Sequence, residues 1–70
     1  MTNEQKEKYK RLQDRLKELS GLNEKIGRLA FYINTETENG NEVDELMNLQ
    51  LSHMMNYRKI LEQRIDRGVY

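Results

Sequence analysis

The chain has 70 residues, 36% of them hydrophobic and 34% charged, and it contains no proline, cysteine or tryptophan. A monomer of this length buries only about 60% of its unfolded surface, so one small core provides little stability. The lack of cysteine excludes disulfides and Cys-ligated metals, and a single histidine, His53, argues against a His-rich metal site or a catalytic centre. Self-association is the remaining source of stability, so the composition predicts an oligomer.

No run of apolar residues is longer than five, whereas a membrane-spanning helix needs about 20 and a signal peptide an apolar segment of about 7–15. We therefore expect a cytoplasmic protein. The sequence has no Gly-rich phosphate loop, no Glu-x-x-His pair and no nucleophile motif. It predicts a protein that is not an enzyme and that needs no cofactor or metal.

The first half of the chain has the apolar spacing of a long helix, predicted over about residues 3–35. Its heptad seam consists of Tyr9, Leu12, Leu16, Leu19, Ile26, Ala30 and Ile33, with Asn23 in the remaining place. Thr2-x-x-Gln5 has the pattern of a capping box. Asn23 is predicted to set register or oligomer state. Gly21 and Gly27 predict either close packing against a neighbour, or a kink at Gly21 or room for a ligand.

A turn is predicted over about residues 36–41, with Asn41 capping a second helix over about 42–66 and Gly68 stopping it. This helix has two apolar stripes. We define stripe A as Leu46, Leu49, His53, Tyr57 and Ile60, and stripe B as Met47, Leu51, Met54, Leu61 and Ile65. One partner helix covers one stripe, so the other stripe needs a second subunit. The fold class is an all-α, antiparallel two-helix hairpin in one domain, residues 1–70.

The charges are distributed unevenly, although the net charge is zero. Residues 1–29 carry a balance of +3, residues 30–57 of −5 and residues 58–70 of +2. A hairpin folded about Asn39 places both basic segments at one end, with His53 opposite Lys25, and the acidic segment at the turn. This arrangement predicts either head-to-tail contact between copies or an anion bound at the basic end. Zero net charge disfavours DNA as a ligand.

The second helix reads Leu46-Met47-x-x-Gln50-x-x-His53-Met54-x-x-Tyr57-x-x-Ile60-Leu61-x-x-Arg64-Ile65, and the first contains Leu22-x-x-Lys25-Ile26-x-x-Leu29-x-x-Tyr32-Ile33. Together these patterns resemble the phage helical-hairpin domain of the anti-CBASS cyclic-nucleotide sponges, which is shared with a group of anti-Thoeris sponges. The resemblance covers about residues 9–65.

The resemblance implies a protein that sequesters cyclic oligonucleotide second messengers without cleaving them, in the cytoplasm of an infected bacterial host. It implies a homo-oligomer, typically a hexamer, with ligand sites between subunits. The family's dinucleotide site corresponds to Tyr9 and Lys25, and its trinucleotide site to Arg64 or Arg67. Gly27 and Arg28 stand where a trinucleotide-binding relative is expected to have a small hydroxyl residue. The alternative function is a structural oligomeric module without a small ligand.

Overall fold

The computed structural model describes all 70 residues and contains two α-helices, α1 (Asn3–Glu38) and α2 (Glu45–Asp66). A short turn, residues 39–44, joins them, and the two helices pack against each other as a hairpin. The molecule is 57 Å long and 15 Å across in both other directions. This architecture confirms the predicted all-α hairpin. Neither helix has the apolar length that crossing a bilayer requires.

The predicted capping box at the start of α1 is confirmed. The Thr2 hydroxyl accepts a hydrogen bond from the Gln5 backbone N–H (3.2 Å), and the Gln5 side-chain carbonyl accepts one from the Thr2 N–H (2.9 Å). These bonds satisfy two backbone donors, one at the N-cap and one in the first turn, which explains why the helix begins at Asn3.

Helix α1 ends three residues later than predicted. Gly40 has a left-handed conformation (φ 77°), and its N–H donates to Thr37 O while the N–H of Asn41 donates to Glu36 O. This pair of bonds is a Schellman motif, in which the glycine is the first residue beyond the cap. The turn residues before Gly40 are therefore still helical, up to Glu38.

The prediction that Asn41 caps α2 is wrong. Asp44 is the N-cap, and its Oδ1 accepts from the Leu46 N–H at 2.8 Å. Asn41 instead donates its side-chain N–H to Glu36 Oε2 at 2.7 Å, which ties the turn back to α1. Both residue types are good caps, and closure of the loop decides between them. Helix α2 therefore begins at Glu45.

The end of α2 confirms the predicted glycine stop. Gly68 has φ 71°, its N–H donates to Ile65 O, and the Val69 N–H donates to Arg64 O at 2.7 Å. The same Schellman motif thus ends both helices, and it turns the C-terminal residues back over the hairpin.

The core is thin, with only 3 of 70 residues buried: Ile26, Ile33 and Leu61. Other members of the predicted seam are half-buried, but Tyr9, Leu16 and Asn23 are exposed. The reason is geometric: a seven-residue repeat rotates by about 20° per heptad on a straight α-helix, so its early members leave the contact face. The seam is therefore correct near the turn and diverges toward the chain ends.

Gly21 and Gly27 do not kink α1. A straight helix of 36 residues is about 54 Å long, and the hairpin is 57 Å long, so α1 is close to straight. A Cβ atom added at either glycine would meet nothing within 4 Å. Packing against α2 therefore does not require these glycines. Of the predicted alternatives, contact with another copy and room for a ligand remain.

Only one of the two apolar stripes on α2 is covered. Stripe B faces α1: Leu61 is 1% exposed, and the other four members are half-buried. All of stripe A is exposed, from 71% for Leu46 to 43% for Tyr57, and His53 has no hydrogen bond. His53 is therefore not enclosed by the hairpin.

Candidate functional site

The two residues predicted to bind a dinucleotide, Tyr9 and Lys25, are both exposed on α1. Sixteen residues separate them, which is about 24 Å along a straight helix and about 160° around its axis. The unbroken course of α1 keeps this separation. One hairpin therefore cannot bring both side chains to the same small ligand.

Lys25 has an unpaired ammonium group in the hairpin. The two ion pairs of the molecule are Arg15–Glu18 and Arg58–Glu62, and Lys25 takes part in neither of them nor in any hydrogen bond. An exposed, unpaired lysine pays little desolvation when it meets an anion, so its charge is available to a phosphate.

Tyr9 presents its ring to solvent, with 57% of the residue exposed, and its hydroxyl has no hydrogen-bond partner. It stands among the basic residues of the first turns of α1: Lys6, Lys8, Lys10 and Arg11. An exposed aromatic ring bordered by cations is suited to stacking on a base whose phosphate lies nearby.

The faces of the hairpin follow from one cross-helix contact. Asn23 Oδ1 accepts a hydrogen bond from Arg58 Nη1 at 3.4 Å, so these residues lie side by side. At 100° per residue, Lys25 and Tyr57 lie on the opposite face, at nearly the same level. Stripe A shares that face, so Lys25 is neighboured by the exposed aromatic Tyr57. The apolar pattern of α2 indicated only a packing role for Tyr57.

The same contact corrects the predicted register. Folding about Asn39 placed His53 opposite Lys25, whereas pairing of Asn23 with Arg58 places His53 opposite residue 28. The turn lies at residues 39–44 rather than 36–41, so His53 faces a residue of α1 nearer the turn than predicted.

The predicted trinucleotide residues lie at the open end of the hairpin. Arg64 is engaged by the chain itself: its Nε donates to Val69 O and its Nη2 to Tyr70 O, both at 3.2 Å. Arg15, which sequence analysis did not identify, also donates to Tyr70 O at 3.2 Å. Arg67 is the C-cap of α2, and its side chain is exposed without a partner.

A polar depression lies on the outer side of α2. Its lining residues are Lys59, Glu62, Gln63 and Asp66. None of the predicted ligand residues lies there, and two of its four residues are acidic. This depression does not provide an enclosed site for a nucleotide in a single hairpin.

These features define a small helical hairpin with exposed cationic and aromatic side chains and one uncovered apolar face. The chain belongs to the Sequestin family: the family model, described as Sequestin, matches residues 10–67. No curated protein and no solved structure matches the chain. The family name indicates a protein that sequesters rather than converts its ligand, in agreement with the resemblance to a sponge family.

The match includes Lys25, Arg64 and Arg67, and it begins one residue after Tyr9.

Proposed function

We propose that this Sequestin-family protein is a phage anti-defence sponge for cyclic oligonucleotide second messengers, cyclic dinucleotides above all. It binds the messenger in the cytoplasm of the infected bacterium and withholds it from its receptor without cleaving it. The observation that carries the proposal is membership of a sequestering family in a chain whose free lysine and exposed tyrosine suit a nucleotide.

The chemistry of the ligand matches these two side chains. A cyclic dinucleotide presents two aromatic bases and two phosphates in a compact ring. The Tyr9 ring stacks on a base, an interaction of about 1–3 kcal/mol per base. The Lys25 ammonium donates hydrogen bonds to a phosphate oxygen and offsets its charge.

The distance between Tyr9 and Lys25 supports a ligand site between subunits. Because the two residues are about 24 Å apart on opposite sides of a straight helix, one copy supplies the ring and another the ammonium. The resemblance implies a hexamer as the assembly that repeats this arrangement. Arg67 and Arg64 are the candidates for a second, trinucleotide site, and Arg64 must first release the C-terminal main chain.

Calorimetric titration with a panel of cyclic dinucleotides and trinucleotides tests the proposal. We expect at least one dinucleotide to bind with a micromolar or tighter Kd, and chromatography after long incubation to recover it intact. If no nucleotide of the panel binds, the second candidate function, a structural oligomeric module, is favoured. The exposure of stripe A independently supports that candidate. Loss of the intact ligand would instead indicate an enzyme.

Self-association is the first prediction that follows. The 8.5 kDa chain should scatter light with several times its own mass at micromolar concentration, because stripe A is apolar and uncovered. Leu49→Glu should lower that mass and leave the hairpin helical, since Leu49 is already 52% exposed in it. A helical monomer of the parent chain under these conditions would contradict the prediction.

Lys25→Ala should weaken cyclic-dinucleotide binding tenfold or more, since a hydrogen bond to a charged group contributes roughly 1.5–3 kcal/mol. Lys17→Ala is the matched control, because Lys17 is also exposed and unpaired on α1. Circular dichroism should show both variants to be as helical as the parent. Equal affinities for the two variants would remove Lys25 from the site.

A further inference from the structure

Stripe A has the same spacing when it is followed in either direction along α2. Its members, Leu46, Leu49, His53, Tyr57 and Ile60, are separated by three, four, four and three residues, so the stripe is symmetric about His53. When two copies of such a helix are laid antiparallel with their His53 residues opposed, every apolar position meets an apolar position. A two-fold interface needs this self-complementarity.

The charges of α2 favour the same antiparallel orientation. Asp44 and Glu45 are at its start without a basic neighbour. Its end, residues 58–67, carries four basic residues against the acidic Glu62 and Asp66, a balance of +2. An antiparallel pair therefore brings the acidic start of each helix near the basic end of the other, and it also opposes the two helix dipoles favourably. A parallel pair would bring like charges together at both ends.

The hairpin leaves this surface free. All five members of stripe A are exposed, and neither α1 nor the C-terminal residues cover them. Stripe B already packs on α1, so α2 has an inner apolar face and a second one about 100° away around its axis. A second hairpin can occupy that face without displacing the first contact.

We propose that two copies of this chain pair through α2 about a two-fold axis at His53. Leu46 packs on Ile60 of the second copy, Leu49 on Tyr57 of the second copy, and the two histidines face each other at the centre. This contact is the repeating dimer from which a larger assembly is built. It rests on the self-association in the proposed function and is independent of any ligand.

Cysteine cross-linking tests the axis, since the chain has no cysteine of its own. Helices that pack with axes about 8–10 Å apart, each with a Cα radius of about 2.3 Å, bring facing Cα atoms to roughly 3.4–5.4 Å, which overlaps the disulfide range of about 4.4–6.8 Å. Under mild oxidation without nucleotide, His53→Cys should give a dimer band at least tenfold faster than Ser52→Cys. Ser52 is an exposed neighbour about 100° around the helix.

The register is tested with Leu49→Cys and Tyr57→Cys, variants that keep the histidine. Two copies of Leu49 are about 12 Å apart along the proposed pair, so Leu49→Cys alone should cross-link slowly. A mixture with mass-tagged Tyr57→Cys should cross-link rapidly. Equal rates for His53→Cys and Ser52→Cys, or for Leu49→Cys alone and the mixture, would overturn the proposal. Because no nucleotide is present, either result leaves the ligand titrations to be judged separately.

Discussion

Replacing Leu61 by alanine should remove a large part of the stability of the hairpin. Leu61 is the most completely buried residue, at 1% exposure, in a core of only three buried residues. Truncation of a buried leucine costs about 2–5 kcal/mol, and a chain of this length has a total stability of roughly 4–10 kcal/mol at typical values per residue. Urea unfolding followed by far-UV circular dichroism measures the loss.

Leu46→Ala is the matched control, because it removes the same atoms from a residue that is 71% exposed. In dilute solution it should change the unfolding free energy of the hairpin by less than about 0.5 kcal/mol. At higher concentration it should lower the assembly mass, since Leu46 belongs to stripe A. If the dilute hairpin loses as much stability with Leu46→Ala as with Leu61→Ala, α1 covers stripe A in solution and the two stripes are assigned wrongly.

Tyr9→Ala should reduce the affinity for a cyclic dinucleotide roughly five- to 150-fold, which corresponds to about 1–3 kcal/mol for one stacked base. Tyr9→Phe should keep most of the affinity, because stacking uses the ring and the hydroxyl has no partner in the hairpin. Calorimetric titration of the two variants against the parent measures both effects.

A melting curve separates this ligand role from a structural one. Because Tyr9 is 57% exposed, its loss should change the melting temperature of the ligand-free protein little. A seam residue would behave in the opposite way. If Tyr9→Ala melts earlier and still titrates like the parent, the ring belongs to the packing of the assembly and the ligand site lacks it.

Local patterns alone are enough to predict the two helices, the capping box at Thr2 and the stop at Gly68, because caps and stops depend on residues within one turn. Gly40 likewise indicates where α1 ends. A glycine that follows a helix is commonly its first left-handed residue, which extends α1 to Glu38 rather than residue 35. Local sequence could not show that Asp44 rather than Asn41 is the N-cap of α2, because that depends on closure of the turn.

The apolar spacing of α2 also predicted two stripes, of which one helix could cover only one. Which stripe α1 covers required the packed hairpin, because periodicity describes a helix without its neighbour. The partners of Arg64 are backbone carbonyls of Val69 and Tyr70, and a pattern of side chains cannot indicate them. The separation of Tyr9 from Lys25 followed from helical rise, but a bend at Gly21 could have removed it. The straight course of α1 excludes that bend and keeps the two residues on opposite sides of the hairpin.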